Sequence, residues 1–168
     1  MISKKLLAAL SEQVNAEYYS AYLYLSMSAF ADQAGFKGIA HWLFEQSREE
    51  MAHGTNMYQY ILERGGVPSL TAIAAPPADF TDISQVFELT LAHEQSVTQR
   101  INDIATMAMQ EHDHACYQFI MWYVNEQVEE EATASDILSK VQMIGDNKGL
   151  LLNLDQELGT RTFVNPFA

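Results

Sequence analysis

Apolar residues recur along four segments of the chain at alternating spacings of three and four positions, the pattern of helices that bury one face. Ser3 is a favourable N-cap for the first segment, and glycines follow the ends of the first, second and fourth segments. At 1.5 Å per residue, each long helix should measure roughly 45 Å. The pattern predicts helices at about residues 3–33, 36–64, 83–112 and 114–144, followed by a shorter helix at about 150–158.

The connections between these segments differ in length, which predicts how the helices pair. The first and third connections are short, so each should join an antiparallel hairpin of two helices. The second connection, residues 66–82, contains Pro68, Pro76 and Pro77. Extended, this connection reaches roughly 55 Å, which is enough to return along a whole helix. We therefore expect one all-α domain over residues 1–168, a four-helix bundle with one long crossover and a short fifth C-terminal helix.

Each apolar stripe is interrupted near its middle by a carboxylate. The four residues are Glu17, Glu50, Glu94 and Glu130. In a bundle they can meet in one cross-section, where burial removes their hydration and brings like charges together. Something positive is then needed to compensate for their charge.

The spacing of these polar residues repeats between the two predicted hairpins. Glu17 and Glu50 are 33 residues apart, and so are Glu94 and Gln127. A shift of 77 residues also places His53 onto Glu130. The two hairpins thus present their polar groups in a pseudo-twofold arrangement. Several carboxylates with one imidazole and no thiolate favour a di-metal site for iron or manganese over structural zinc.

Composition narrows the possible partners and location. The formal net charge is −13, with only nine Lys and Arg residues, which argues against binding to nucleic acid. The acidic surface could serve solubility or could concentrate cations. No apolar run approaches the ~20 residues of a membrane span. With Cys116 as the single cysteine, no intramolecular disulfide is possible, and a cytoplasmic location is expected.

Three stretches of the chain resemble bacterial non-haem ferritin. They are LSEQVNAEYYSAYLYLSMSAF, which starts at Leu10, SREEMAHGTNMYQYILERGGVP, which starts at Ser47, and FIMWYVNEQVEEE, which starts at Phe119. The resemblance runs from about Leu6 to about Leu158 and implies the ferritin-like form of the bundle. It also implies a hollow homo-oligomeric shell of 24 subunits. Such a shell takes up Fe(II), oxidises it with O₂ or peroxide, and stores a ferric oxide mineral.

The resemblance also implies the roles of individual residues. The first iron would bind Glu17, Glu50 and His53. Glu50 would bridge to a second iron held by Glu94 and Glu130, with Gln127 beside the pair. A third iron site toward the cavity would use Glu49, Glu126 and Glu129, and would share Glu130. Tyr24 would be a nearby electron donor that hydrogen-bonds a ligand, and Trp122 would be the aromatic residue beside the centre.

The haem-containing bacterioferritins are the nearest alternative. They share the E-x-x-H motif of the second helix, and Met51 falls where they place a haem-ligating methionine. Their fourth helix carries a second E-x-x-H, whereas this chain has Gln127-Val128-Glu129-Glu130. The fourth helix therefore favours the non-haem form, and no haem is expected.

Alternatives from other classes also remain at this stage. The chain could be a structural bundle with a vestigial metal site, or a carboxylate-bridged oxygenase, although the apolar stripes leave little room for an organic substrate. Small DNA-protecting ferritin-like proteins place their iron between subunits, which a complete ligand set within one bundle contradicts. Rubrerythrin-like peroxidases usually add a cysteine-rich iron domain, which the single cysteine cannot supply. At the level of single residues, Tyr24 and Trp122 could be core packing. Glu126 and Glu129 could belong to an exposed acidic face.

Overall fold

The computed structural model describes residues 2–168 and contains five helices. They are α1 (Lys4–Gln33), α2 (Lys37–Glu63), α3 (Ile83–Gln110), α4 (His114–Ile144) and α5 (Lys148–Leu158). The four long helices and the short fifth helix confirm the predicted all-α fold class. Among residues 2–168, no helix has both the length and the apolar composition needed to cross a lipid bilayer.

Local side-chain chemistry sets where the helices begin and end. Ser3, Asp82 and Asp113 each accept a backbone N–H of the first turn, at 2.8–3.1 Å. Two bounds differ from the sequence prediction by two residues, and three others differ by one. Helix α3 ends at Gln110 instead of residue 112, because His112 has a φ of 56°. Helix α5 begins at Lys148 instead of residue 150, because Asn147 accepts two N–H groups of its first turn.

Helix α2 obtains its N-terminal cap from a distant part of the chain. Phe36 provides no side-chain cap. Instead, Asp155 of α5 accepts the backbone N–H of Ile39 at 2.8 Å. Helix α5 approaches so closely that a Cβ on Gly38 would lie 1.7 Å from the Asp155 carbonyl oxygen. This contact fixes α5 against the start of α2.

The long crossover, residues 64–82, is held along α1. Asn15 donates to the Ser69 carbonyl at 2.9 Å and accepts the Thr71 N–H at 2.9 Å. Further along α1, Ser26 donates to the carbonyl of Pro77 at 2.6 Å. The crossover therefore follows α1 before it enters α3.

The helices pack in pairs, α1 against α2 and α3 against α4, with α1 also against α3 and α5 against α2 and α4. Two apolar clusters fill the bundle. One contains Tyr24, Leu43 and Phe87, and the other contains Leu10 and Ile101. The predicted polar residues occupy the level between the clusters.

A wider gap separates α2 from α4. Within the described chain, no Cα atom of α2 lies within 8 Å of one in α4. Side chains bridge the gap instead. Gln46 donates to Glu130 at 2.8 Å, and the Tyr123 hydroxyl donates to the His53 carbonyl at 2.9 Å. We refer to this gap as the α2–α4 groove.

Candidate metal centre

A buried polar layer crosses the bundle between its two apolar clusters. Each of the four long helices contributes to it. Its members are Glu17 of α1, Glu50 and His53 of α2, Glu94 of α3, and Gln127 and Glu130 of α4. None is more than 7% exposed. The apolar stripes place these groups in the interior because the same helix face that carries them also carries the core.

Three members of this layer form a group with metal-ligand geometry. Glu17, Glu50 and His53 each offer one ligand atom, and those atoms lie within 4.8 Å of one another. Glycine at position 54 lets α1 approach closely, since a Cβ there would lie 3.2 Å from the Glu17 Cβ. His53 Nδ1 lies 3.7 Å from a Glu50 carboxylate oxygen.

Two atoms of this group lack hydrogen-bond partners although they are buried. They are Glu17 Oε2 and His53 Nε2. Buried polar atoms are nearly always hydrogen-bonded, so two orphaned atoms in one group need an explanation. A carboxylate oxygen and an imidazole nitrogen are ligands that iron accepts. The donor set therefore fits a divalent iron ion.

Three buried glutamines orient the carboxylates of the layer. Gln13 donates to Glu17 at 2.8 Å, and Gln46 donates to Glu130 at 2.8 Å and to Glu50 at 3.4 Å. On α4, Gln127 Nε2 lies 3.2 Å from both the Glu94 carboxylate and the Glu94 carbonyl oxygen. The side-chain amide of Gln127 thus donates its N–H groups to Glu94. Sequence reasoning did not assign Gln13 or Gln46 to the site, although each lies four residues before a layer glutamate on the same helix.

Burial and mutual repulsion raise the pKa values of the layer carboxyl groups. For Glu17 and Glu50, loss of hydration is the largest cause, and the charge of a neighbouring glutamate adds to it. Burial also raises the pKa of Glu94. Burial, followed by the charge of Glu94, raises the pKa of Glu130 to about 8. The metal-free layer therefore retains protons near neutral pH, and a bound cation would replace them.

Two aromatic residues, Tyr24 and Trp122, lie beside the layer, where the resemblance to ferritin implied that they would be. Tyr24 is fully buried, and its hydroxyl donates to Glu94. Burial, with the charge of Glu94, raises the Tyr24 pKa well above its usual value, so the side chain remains a phenol. The Trp122 ring lies edge-on to His53, with centroids 5.4 Å apart.

A second metal-capable group lies toward the outside of the layer. Ligand atoms of Glu49, His53 and Glu126 lie within 4.8 Å of one another. We call these three residues the outer group. Of the predicted third-site residues, Glu49 and Glu126 belong to it, while Glu129 is exposed and outside it. Met51, considered above as a haem ligand, is on the exposed surface of α2.

Comparison with known proteins identifies the class to which this fold and site belong. Residues 7–144 match the family model described as a ferritin-like domain. The chain belongs to the ferritin family, as its sequence indicated.

Individual relatives are similar over nearly the whole chain. The bacterial non-heme ferritin of Staphylococcus aureus strain MRSA252 is 40% identical over 163 residues, covering 97% of this chain and 98% of the relative. The corresponding protein of Staphylococcus epidermidis strain RP62A is also 40% identical over 163 residues, with the same coverage.

Two solved structures of archaeal ferritin are also similar. An open-pore ferritin from the hyperthermophilic archaeon Archaeoglobus fulgidus has a TM-score of 0.95 and 48% identity, covering 96% of this chain and 100% of that chain. A closed form engineered from the Archaeoglobus fulgidus ferritin has a TM-score of 0.96 and 47% identity, covering 98% and 100%.

Proposed function

We propose that this protein stores and detoxifies iron as a ferroxidase. It oxidises Fe(II) to Fe(III) at a di-iron centre inside each subunit and stores the ferric oxide mineral in a hollow shell of identical subunits, 24 in number. The observation that carries the proposal is the pair of orphaned atoms, Glu17 Oε2 and His53 Nε2, in a buried layer of four glutamates. Relatives named non-heme ferritins, 40% identical over nearly the whole chain, support it.

The two iron ions bind as substrates in unequal environments. The first takes Glu17, Glu50 and His53, which include the only imidazole of the layer. Glu50 bridges to the second ion, which is held by Glu94 and Glu130. The second environment contains oxygen ligands alone, so it should hold Fe(III) less firmly and allow it to leave toward the mineral. Gln127 orients Glu94 through its amide N–H groups.

Oxidation of the pair removes two electrons, one from each Fe(II). One O₂ molecule accepts these two electrons and two protons to give H₂O₂. Alternatively, one H₂O₂ accepts two electrons and two protons to give two water molecules. Carboxyl groups with raised pKa values, such as Glu130, release protons when metal binds them. The layer thus exchanges protons for cations without leaving an unpaired buried charge.

Two further parts of the proposal concern groups next to the pair. Tyr24 would supply one further electron and a third Fe(II) another, so that with the iron pair they reduce one O₂ by four electrons and four protons to two water molecules. The phenolic proton of Tyr24 would pass to the Glu94 carboxylate that accepts its hydrogen bond. A third iron ion would bind Glu49, Glu126 and Glu129 and share Glu130, because His53 is already a ligand of the first ion. The partners of this protein in the cell are then iron ions, the oxidant and other copies of the chain. We also propose that the protein is located in the cytoplasm.

The experiment that tests the proposal compares Fe(II) oxidation in variants of the bridging and imidazole ligands. Glu50→Ala and His53→Ala should abolish fast, stoichiometric oxidation while preserving the helical fold, measured by stopped-flow absorbance and circular dichroism. Glu88→Ala is a matched control, because Glu88 is an exposed carboxylate on α3. Oxidation at the wild-type rate in both layer variants would show that the assigned centre is wrong.

A further inference from the structure

The chain continues beyond α5 as an irregular segment that lies along α2. We call residues 160–168 the C-terminal segment. His41 of α2 contacts the Arg161 carbonyl through its ring nitrogen at 2.9 Å, and Glu45 accepts the Phe163 N–H at 3.0 Å. At the far end, the Phe167 ring packs against Trp122 of α4, with centroids 4.6 Å apart. The segment therefore lies across the α2–α4 groove.

Arg161 fixes this segment to the edge of the metal centre. Its guanidinium donates to the Glu49 carboxylate and to the Gln46 side-chain oxygen. The same group lies over the Trp42 ring, 4.6 Å from its centroid. The Arg161 and Glu49 side chains are only 22% and 14% exposed. This ion pair is therefore largely shielded from water, where charge–charge attraction is strong.

The carboxylate that Arg161 occupies is also a member of the outer group. Arg161 donates to Oε2 of Glu49, so a metal ion at the outer group would find only the other oxygen, Oε1, of that carboxylate free. A guanidinium and a divalent cation on one carboxylate would repel each other across a few ångströms. Arg161 and a metal ion at the outer group are therefore competitors for Glu49.

A neighbouring ion pair also holds the C-terminal segment, at Phe163, but it occupies no metal-ligand residue. Arg48 donates to both carboxylate oxygens of Glu45, at 3.0 and 2.9 Å. Glu45 belongs to neither metal-capable group of the described chain. The pair within α2 therefore positions the segment without blocking a metal ligand, whereas the pair made by Arg161 occupies one.

The segment is connected to the inner layer at two other points. Gln46, which accepts from Arg161, donates in turn to Glu130 and Glu50. The Phe167 ring lies 6.2 Å from the His53 ring, between centroids. The C-terminal segment thus contacts the outer group at Glu49 and at His53, and reaches the inner layer through one glutamine.

We infer that the C-terminal segment is a gate on the outer metal group, with Arg161 as an internal cation that a third metal ion must displace. In the metal-free protein Arg161 neutralises Glu49 and holds the segment over the groove. A divalent ion at Glu49 and Glu126 takes over the carboxylate, and Arg161 with its end of the segment is released. This inference rests on the proposed metal chemistry of the layer and adds a regulatory role for residues outside it.

The first test measures Zn(II) binding to the assembled protein by isothermal titration calorimetry. In Arg161→Gln, the third ion should bind about tenfold more tightly than in the wild type, because a charge-assisted contact no longer competes. Arg161→Lys should lie between the two, since it keeps the charge without the planar fork. Lys140→Gln is the matched control, because it removes one positive charge from ion pairs with Asp136 and Glu157.

The second test follows hydrogen exchange of the C-terminal segment in the wild-type protein. Amide exchange in residues 161–168 should increase when the third Zn(II) equivalent binds, and not with the first two. The gate would be overturned if hydrogen exchange stays constant at the third equivalent, or if Arg161→Gln binds the third ion no more tightly than the wild type. Tight binding of the first two ions would leave the di-iron proposal intact in either case. Absence of any Zn(II) binding would overturn both.

Discussion

The Tyr24 hydroxyl of α1 donates a hydrogen bond to the Glu94 carboxylate of α3 at the level of the buried polar layer. This contact joins the two helical hairpins through a fully buried side chain. It also lowers the pKa of Glu94, opposing the rise caused by burial. Tyr24 therefore stabilises the charged form of a proposed iron ligand and lies in direct contact with it.

Replacing Tyr24 by Phe tests both its hydrogen bond to Glu94 and its proposed role as an electron donor. Tyr24→Phe should lower the free energy of unfolding by about 1 kcal/mol, the usual value of one buried hydrogen bond. Binding of two metal ions should persist, since the ligands remain. If Tyr24 supplies an electron, a tyrosyl radical signal seen by electron paramagnetic resonance during Fe(II) oxidation should disappear. Tyr22→Phe is the control, because Tyr22 is 53% exposed; loss of the signal there instead would assign the radical elsewhere.

Metal binding should stabilise the protein against heat. An ion that binds only the folded state adds about 2.7 kcal/mol when its concentration is 100 times its dissociation constant. Zn(II), or Fe(II) without oxygen, should therefore raise the unfolding temperature of the wild type. The rise should be much smaller in His53→Ala and undiminished in Glu88→Ala. An unchanged unfolding temperature at saturating metal would favour a structural bundle with a vestigial site.

The metal-free protein should lose stability as the pH rises toward 8. The pKa of Glu130 is about 8 in the folded protein, against an ordinary value of 4.5. Between these values the folded state keeps a proton that the unfolded state has lost. The stabilisation that this proton gives to the folded state is complete below about pH 4.5. It is lost as the pH rises through the pKa of Glu130 in the folded protein.

Thermal unfolding of the metal-free protein between pH 5.5 and 8 measures this contribution. Relative to Glu130→Gln, which cannot titrate, the wild type should become less stable with rising pH. Glu129→Gln changes an exposed neighbour on the same helix and should keep the wild-type slope. Parallel curves for the wild type and Glu130→Gln would show that Glu130 does not retain this proton.

Helix α5 depends on a glycine for its contact with α2. Gly38→Ala would place a Cβ 1.7 Å from the Asp155 carbonyl oxygen, so α5 must move away. We expect a loss of about 2 kcal/mol, typical of overpacking, together with faster hydrogen exchange in residues 160–168. Gly149→Ala is the matched control, since its nearest contact there would be an ordinary 3.4 Å. Equal stability of the two variants would contradict the close packing described for α5.

The helical segments, with their regular apolar spacing, allowed most of the predictions about the fold and the polar layer. A helix face repeats every three or four residues, so a glutamate within that repeat is assigned to the core by its position alone. This is why the layer glutamates and His53 could be placed together from sequence. Gln13 and Gln46 follow the same logic and could have been found, since each precedes a layer glutamate by four residues.

Contacts made by irregular segments could not be predicted in the same way. Arg161 lies beyond the last helix, where no helical repeat relates the position of a residue in the sequence to the direction of its side chain. Its pairing with Glu49, 112 residues earlier, depends on how the chain turns after α5. The cap that Asp155 gives to α2 is equally distant in sequence, at 116 residues from Ile39.

The two apolar clusters above and below the polar layer have a consequence for repeated turnover. Each cluster closes one end of the bundle, so repulsion among the carboxylates cannot separate the helices when the ions depart. In the proposed function, the ligand side chains would then keep their positions from one pair of ions to the next. Successive iron ions would pass through the same subunit without a cycle of unfolding and refolding between them.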